Sequence, residues 1–197
     1  MDKKYTIKYS IKFHTDWHCG SGLAAGADVD ALVVKDENGM PFVPGKTMKG
    51  LIREAVEEIR HLQGKDLNDT ELAEAFGSEV EKEKYDVRRG TMFFANAELC
   101  KDEYDAIVSN KAARFMYRDI ASTAIDENGI AKEHSLRKIE VVVPCTLHGA
   151  IYGVPEDLVD EIKKSIGFIK RMGQNRNRGL GRCTISSVSV EKEGGEQ

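Results

Sequence analysis

The chain has 197 residues, enough for one core with a sizeable insertion, and its 31% charged and 41% hydrophobic residues make an ordinary globular balance. A net charge of −4 argues against a domain that binds nucleic acid over its whole surface, so any such contact must come from local clusters among the 29 lysines and arginines. No apolar run approaches the roughly 18 residues of a membrane helix, the opening MDKKYTIKYS lacks an apolar signal core, and Cys19, Cys100, Cys145 and Cys183 are too scattered for a zinc ribbon or a disulfide framework, so a cytoplasmic protein with reduced thiols and no membrane partner is expected.

In chain order, YTIKYSIKF sets Tyr5, Ile7, Tyr9, Ile11 and Phe13 against Thr6, Lys8, Ser10 and Lys12, the alternation of a half-buried strand. A Gly- and Ala-rich loop, HTDWHCGSGLAAGADVD, follows. ALVVKDENGMPFVPG then predicts a short hairpin, with Asn38-Gly39 supplying the positive-φ positions of its turn. KTMKGLIREAVEEIR predicts a helix whose inward face is Met48, Leu51, Ile52, Ala55, Val56 and Ile59, while Lys46, Lys49, Arg53 and Arg60 recur at helical spacing as a basic stripe. LNDTELAEAFGS predicts a second short helix, EVEKEKYDVRRG a charged loop, GTMFFANAEL a buried strand and DEYDAIV a helical turn. Arg114 to Leu136 is polar and weakly periodic, which suits a protruding excursion. RKIEVVVPCTLHGAIYGV predicts a strand or bent pair, and EDLVDEIKKSIGFIKRMG a helix with Leu158, Val159, Ile162, Ile166 and Ile169 inward. RCTISSVSVEK closes as a strand and EGGEQ is expected to fray. The order is β-α-β followed by β-α-β with insertions, an α+β, ferredoxin-like arrangement in one domain.

Four segments carry chemistry. GQNRNRGLGR, Gly173 to Arg182, holds three glycines and three arginines without a carboxylate, a composition suited to a phosphodiester backbone. VPGKT, before the first helix, fails as a P-loop: Met40 stands where the motif's first glycine belongs, and Pro41 and Pro44 remove amide donors. The helix N-terminus, with Lys46 and Lys49, can still meet a phosphate. Asp28 and Asp30 can share a divalent ion, act on a phosphodiester, or be ordinary loop aspartates; Asp28-x-Asp30 does not continue as a calcium loop. His18 follows the only Trp and precedes glycines that permit close backbone approach.

Together these pieces resemble the RAMP-superfamily backbone subunits of type III CRISPR–Cas effector complexes. WHCGSG is similar to the family's His-x-Gly-Gly segment, DVDALVVKDENGMPFVPGKTMKGLIRE to its aspartate, turn and Pro-Gly-Ser-Ser-Leu-Lys-Gly run, TAIDENGIAKEHSLRKIEVVVP to its thumb and following strand, and NRGLGR to its C-terminal glycine-rich loop. The resemblance implies an RRM-like palm over 5–113 and 137–192, a thumb over 114–136 carrying Ile120, Ile125 and Ile130, and a tail from 193. It implies guide-RNA (crRNA) contacts by His18, Gly20, Gly22, Lys46, Thr47, Lys49, Arg53, Gly173, Asn175, Arg176, Arg178, Gly179, Gly181 and Arg182. Target single-stranded RNA would be cut with a divalent ion, Mg2+ or Mn2+, held by Asp30, with Asp28 the weaker candidate. Further copies or paralogous subunits in a stack, and the large and small subunits of an effector, are the implied partners. Lys46-Thr47 replaces the usual Ser-Ser, and the palm lacks the aromatic RNP signature, so no base stacking on the sheet is expected. A non-catalytic scaffold and a stand-alone guide-processing endonuclease using His14 or His18 as base are the alternatives.

Overall fold

The computed structural model describes residues 3–25, 28–64, 69–77 and 89–194. Four strands, β1 (Lys4–Phe13), β2 (Phe93–Phe94), β5 (Thr146–Pro155) and β6 (Cys183–Lys192), form one sheet in the order β2-β5-β1-β6. Every pairing is antiparallel. Helix α1 (Gly45–Leu62) lies between β1 and β2 in the chain, and α4 (Val159–Phe168) between β5 and β6. This is the ferredoxin-like split β-α-β, as the sequence order predicts. The alternation of β1 sends Ile7, Tyr9, Ile11 and Phe13 into the core, where they meet Met48, Ile52 and Val56 of α1 and Ile162 and Ile166 of α4. Gly149 of β5 lies over the Tyr9 ring: a Cβ there would stand 2.5 Å from the Tyr9 hydroxyl.

A second sheet pairs β3 (Tyr117–Ser122) with β4 (Arg137–Val142). The sequence shows no strand before Leu136 because β3 has no buried residue on either side, and a ribbon exposed on both faces carries no hydrophobic period. The bent pair read from RKIEVVVPCTLHGAIYGV is β4 and β5, divided between the two sheets.

Several local expectations change. Between Ala31 and Gly45 there is a single bridge, Lys35 to Pro41, instead of paired strands. Only Gly39 is left-handed there (φ 77°); Asn38 is not, because the Asp36 carboxylate organises the turn by accepting the N–H groups of Asn38 (2.9 Å) and Met40 (2.7 Å). The GTMFFANAEL strand shrinks to Phe93–Phe94, after which Ala97 and Glu98 make single bridges to Val43 and His148. Helix α2 (Asp69–Phe76) and helix α3 (Lys101–Ser109) fall where expected, but the 156–173 helix begins as a 3-10 turn at Glu156–Leu158 and stops at Phe168. The charged EVEKEKYDVRRG stretch lies outside the described residues up to 88. Glu193 continues the sheet: its N–H donates to the Lys4 carbonyl, and its carboxylate accepts from the Thr6 hydroxyl (2.8 Å) and the Gly153 N–H (2.7 Å).

Candidate nucleic-acid interface

The glycine-rich loop is built on the segment that follows β1. Gly181 donates its N–H to the Asp16 carbonyl (2.7 Å), Gln174 donates to the His18 carbonyl (2.9 Å), and Arg182 donates to the Thr15 hydroxyl (3.0 Å). Gly173 (φ 87°) and Gly181 (φ 68°) leave no room for a side chain: a Cβ would drive into the His18 carbonyl at the first and the Met172 carbonyl at the second. These two glycines are therefore required by packing against the protein itself. Gly179 (φ 93°), by contrast, has open space where its Cβ would be, as does Gly22 (φ 80°). Asn175 is left-handed (φ 56°) and starts the 3-10 turn Arg176–Arg178. The turn lifts Asn175, Arg176, Arg178 and Gly179 into solvent, and Arg182 is exposed beside them. Arg171 donates to the Arg176 carbonyl (3.2 Å), and no arginine of this loop meets a carboxylate in an ion pair among the described residues.

The basic stripe of α1 divides in two. Arg60 is buried and forked onto Glu161 of α4 (2.8 and 2.6 Å) with Glu71 of α2 alongside (3.0 Å), so it joins three helices. Arg53 pairs with Glu57 (2.8 Å) and reaches the Gly77 carbonyl (3.3 Å). Lys46 and Lys49 remain at the helix start without an ion-pair partner among the described residues. There Gly45 donates its N–H to the Asn96 side chain (3.0 Å). Burial pushes the Cys19 thiol above its usual value, while the Thr47 hydroxyl and the Lys46 ammonium beside it pull the other way. That brings the α1 start next to the Cys19–Gly20 backbone. Gly20 in turn faces Gln174 of the glycine loop, where a Cβ would stand 3.1 Å from its side-chain nitrogen. Gly20 thus adjoins the loop, and Cys19 before it adjoins Thr47 at the start of α1. His18 does not present its ring to solvent: it is fully buried beneath them, and its Nδ1 donates to the Glu140 carbonyl (2.6 Å).

Asp28 and Asp30 lie on the exposed part of the loop that returns to β4. Asp30 pairs twice with Lys138: its N–H donates to the Lys138 carbonyl (2.8 Å), and its Oδ2 accepts the Lys138 N–H (2.7 Å). The other carboxylate oxygen has no partner among the described residues. The Lys138 ammonium bonds Asp119 of β3 (2.8 Å), and that contact first, with Asp28 a smaller contributor, holds it charged above the usual lysine range. Among the described residues no group of three His, Cys, Asp or Glu comes together, so Asp30 and Asp28 lack the donors that would hold a divalent ion from this chain alone.

A model of the RAMP superfamily matches residues 10–184. The chain belongs to the RAMP superfamily. No curated protein sequence matches it. Among solved structures, a chain of the type III-B Cmr-beta complex bound to cognate target RNA, determined by cryo-EM, superposes with a TM-score of 0.68 at 21% identity, covering 96% of this chain and 61% of that one. A chain of the same complex in its apo state superposes with a TM-score of 0.67 at 12% identity, covering 93% and 97%. This chain therefore spans about three-fifths of the first relative and nearly all of the second, and at these identities the likeness is one of fold.

In this RAMP palm, Ile120 of β3 lies opposite Ile139 of β4, while Ile125 and Ile130 are 64% exposed further out along the projection. Two features escape the sequence reading. Asp16, 6% exposed, accepts Arg118 of β3 through its carboxylate while its carbonyl holds Gly181, so one residue touches both the β3–β4 ribbon and the glycine loop. Glu140 lies under the Asp30 loop. Asp16 stands outside the motifs, and Glu140 falls in the run after the thumb with nothing to single it out; each has its partner more than 100 residues away. No helix among the described residues is long and apolar enough to cross a membrane.

Proposed function

We propose that this RAMP chain is a backbone subunit of a type III CRISPR effector. It binds the guide RNA through phosphates, stacks with further copies or paralogues beside large and small subunits, and cuts target RNA beside Asp30. The observation that carries this reading is the arginine turn, raised on a glycine loop packed against the chain after β1, with its arginines in no ion pair among the described residues and Lys46 exposed at the nearby start of α1. Such a set suits a sequence-independent phosphate track. The fold likeness to a chain of a complex bound to cognate target RNA supports the same assignment.

Cleavage would proceed by attack of a ribose 2′-oxygen on the adjacent phosphorus with loss of the 5′-oxygen, leaving a cyclic phosphate. Asp30 stands exposed beside the outer end of the β3–β4 ladder, with one carboxylate oxygen free of a partner among the described residues and available to accept the 2′-hydroxyl proton. The ribbon would splay the target strand to give the in-line approach. Since no three His, Cys, Asp or Glu come together among the described residues, a divalent ion at Asp30, which would offset the developing charge, would need oxygens of the bound RNA as further ligands. The same observation favours a second reading, a scaffold subunit that binds guide and target without cutting.

Purification from the native host should yield the chain with RNA of discrete length and larger partner proteins. In that complex, Asp30→Ala should lower target cleavage about 100-fold or more with guide content unchanged, and a 2′-deoxy sugar at the cut should block it. Undiminished cleavage by Asp30→Ala would leave the scaffold reading, and absence of RNA would remove both.

A further inference from the structure

We infer that Glu140 is a positioning residue for the cutting loop, and that His18 ties it to the glycine loop; this rests on the reading of Asp30 given above. Glu140 sits in β4 and is 9% exposed. Its carboxylate uses both oxygens on the loop that carries Asp30: Oε2 accepts the Val33 N–H (3.1 Å) and Oε1 accepts the Lys35 ammonium (2.6 Å). Its own N–H donates to the Ala31 carbonyl (3.0 Å), next to Asp30. Its carbonyl accepts the His18 Nδ1 proton. One residue of the ribbon therefore holds the Asp30 loop at Ala31, Val33 and Lys35 and reaches the support of the glycine loop.

The chemistry of each contact fixes its direction. A carbonyl only accepts, so His18 carries a proton on Nδ1. The other ring nitrogen, Nε2, is buried without a partner among the described residues and faces Gly20 and the Gln174 side chain. The backbone carbonyl of His18 accepts from Gln174 on the other side. Lys35 also lies over the Tyr117 ring of β3, 4.0 Å from its centroid, so the Glu140–Lys35 pair grips both ribbon strands. Without the carboxylate, the Val33 N–H and the Lys35 ammonium lose their acceptor in a half-buried site, and the Asp30 loop is left to its backbone bonds at Ala31 and Val34 and to the Lys138 contacts. An ångström of drift at a reacting group is enough to cost about 100-fold in rate.

The test uses the guide-loaded complex carrying Glu140→Ala, Glu140→Gln or Lys35→Met, read by single-turnover cleavage, target Kd and amide exchange. Glu140→Ala should slow the cleavage step about 100-fold while target Kd and guide content stay within about twofold, and exchange at Val33 should speed up. Glu140→Gln keeps an oxygen for Val33 and should recover part of the rate; Lys35→Met should be milder than Glu140→Ala. A rate equal to wild type in Glu140→Ala, or a matching loss of guide content, overturns the inference. Where the wild-type complex does not cut, the cleavage reading fails, and exchange alone decides positioning: unchanged protection at Val33 refutes it and faster exchange upholds it.

Discussion

Replacing Gly181 with alanine separates the two demands on the glycine loop. At φ 68° an L residue takes a left-handed conformation, costing about 1–2 kcal/mol. Gly179, at φ 93° in open space, takes much the same conformational penalty and nothing else. At Gly181 the new methyl also runs into the Met172 carbonyl, and relieving that contact moves the N–H away from the Asp16 carbonyl. Losing that bond adds about 1 kcal/mol, and the steric shift adds to it. For a chain of this size each kcal/mol lowers the melting temperature by about 2–4 °C. Gly181→Ala should therefore melt at least about 2–4 °C below Gly179→Ala, and should bind guide RNA more weakly because the arginine turn loses its seat. Circular dichroism melts of both variants, with filter binding of a guide RNA, make the comparison. Equal melting temperatures for the two would refute the account of the loop as packed against the 14–18 segment.

Reversing Arg176 and Arg178 to Glu should weaken guide binding equally for unrelated sequences, and should flatten the log–log salt dependence by about 0.7–1 per lost contact; a sequence-dependent loss in titrations across salt would show that bases are read. Burial pushes the Cys145 and Cys183 thiols up to about 11, and the Tyr9 and Tyr117 hydroxyls upward as well. The folded chain thus holds protons that the unfolded chain releases first, so this stability is complete below about pH 9 and declines as pH rises toward 11. Denaturant midpoints measured between those values should fall steadily, and alkylation of Cys145 and Cys183 should be slow at pH 8; a flat midpoint would contradict the burial.

The ferredoxin-like order is legible because β1, α1 and α4 each bury one face, and burial is what hydrophobic period records; β6 buries only Cys183 and Ile185 and is marked by its β-prone run. Strand β3 was hidden because it buries neither face. The basic stripe misled for a related reason: helical spacing places Arg53 and Arg60 on a surface of α1, but not what faces that surface, and Glu57, Glu71 and Glu161 answer them. Glycines in this loop suit close approach to a ligand, but nothing in the sequence shows that Gly173 and Gly181 are also required by the protein's own backbone beside them. The arginine run stands out in the sequence by its composition, whereas Asp30 is singled out only by the place of its run in the family resemblance. Glu140 and Asp16 could not, since their meaning depends on residues brought from the far side of the fold.

Strand β1 occupies the middle of the sheet, and neither neighbour is at hand when it is made: Lys4 waits for Pro155 and Phe13 for Cys183. Pairings that distant close slowly, since an unfavourable loop must form before any contact rewards it. The last of them, β6 onto β1, also brings residues 171–182 against residues 14–18 and so creates the RNA-facing turn. The seat of the arginine turn therefore exists only once β6, the strand made last in synthesis, has paired with β1, and the proposed guide contact would wait for it.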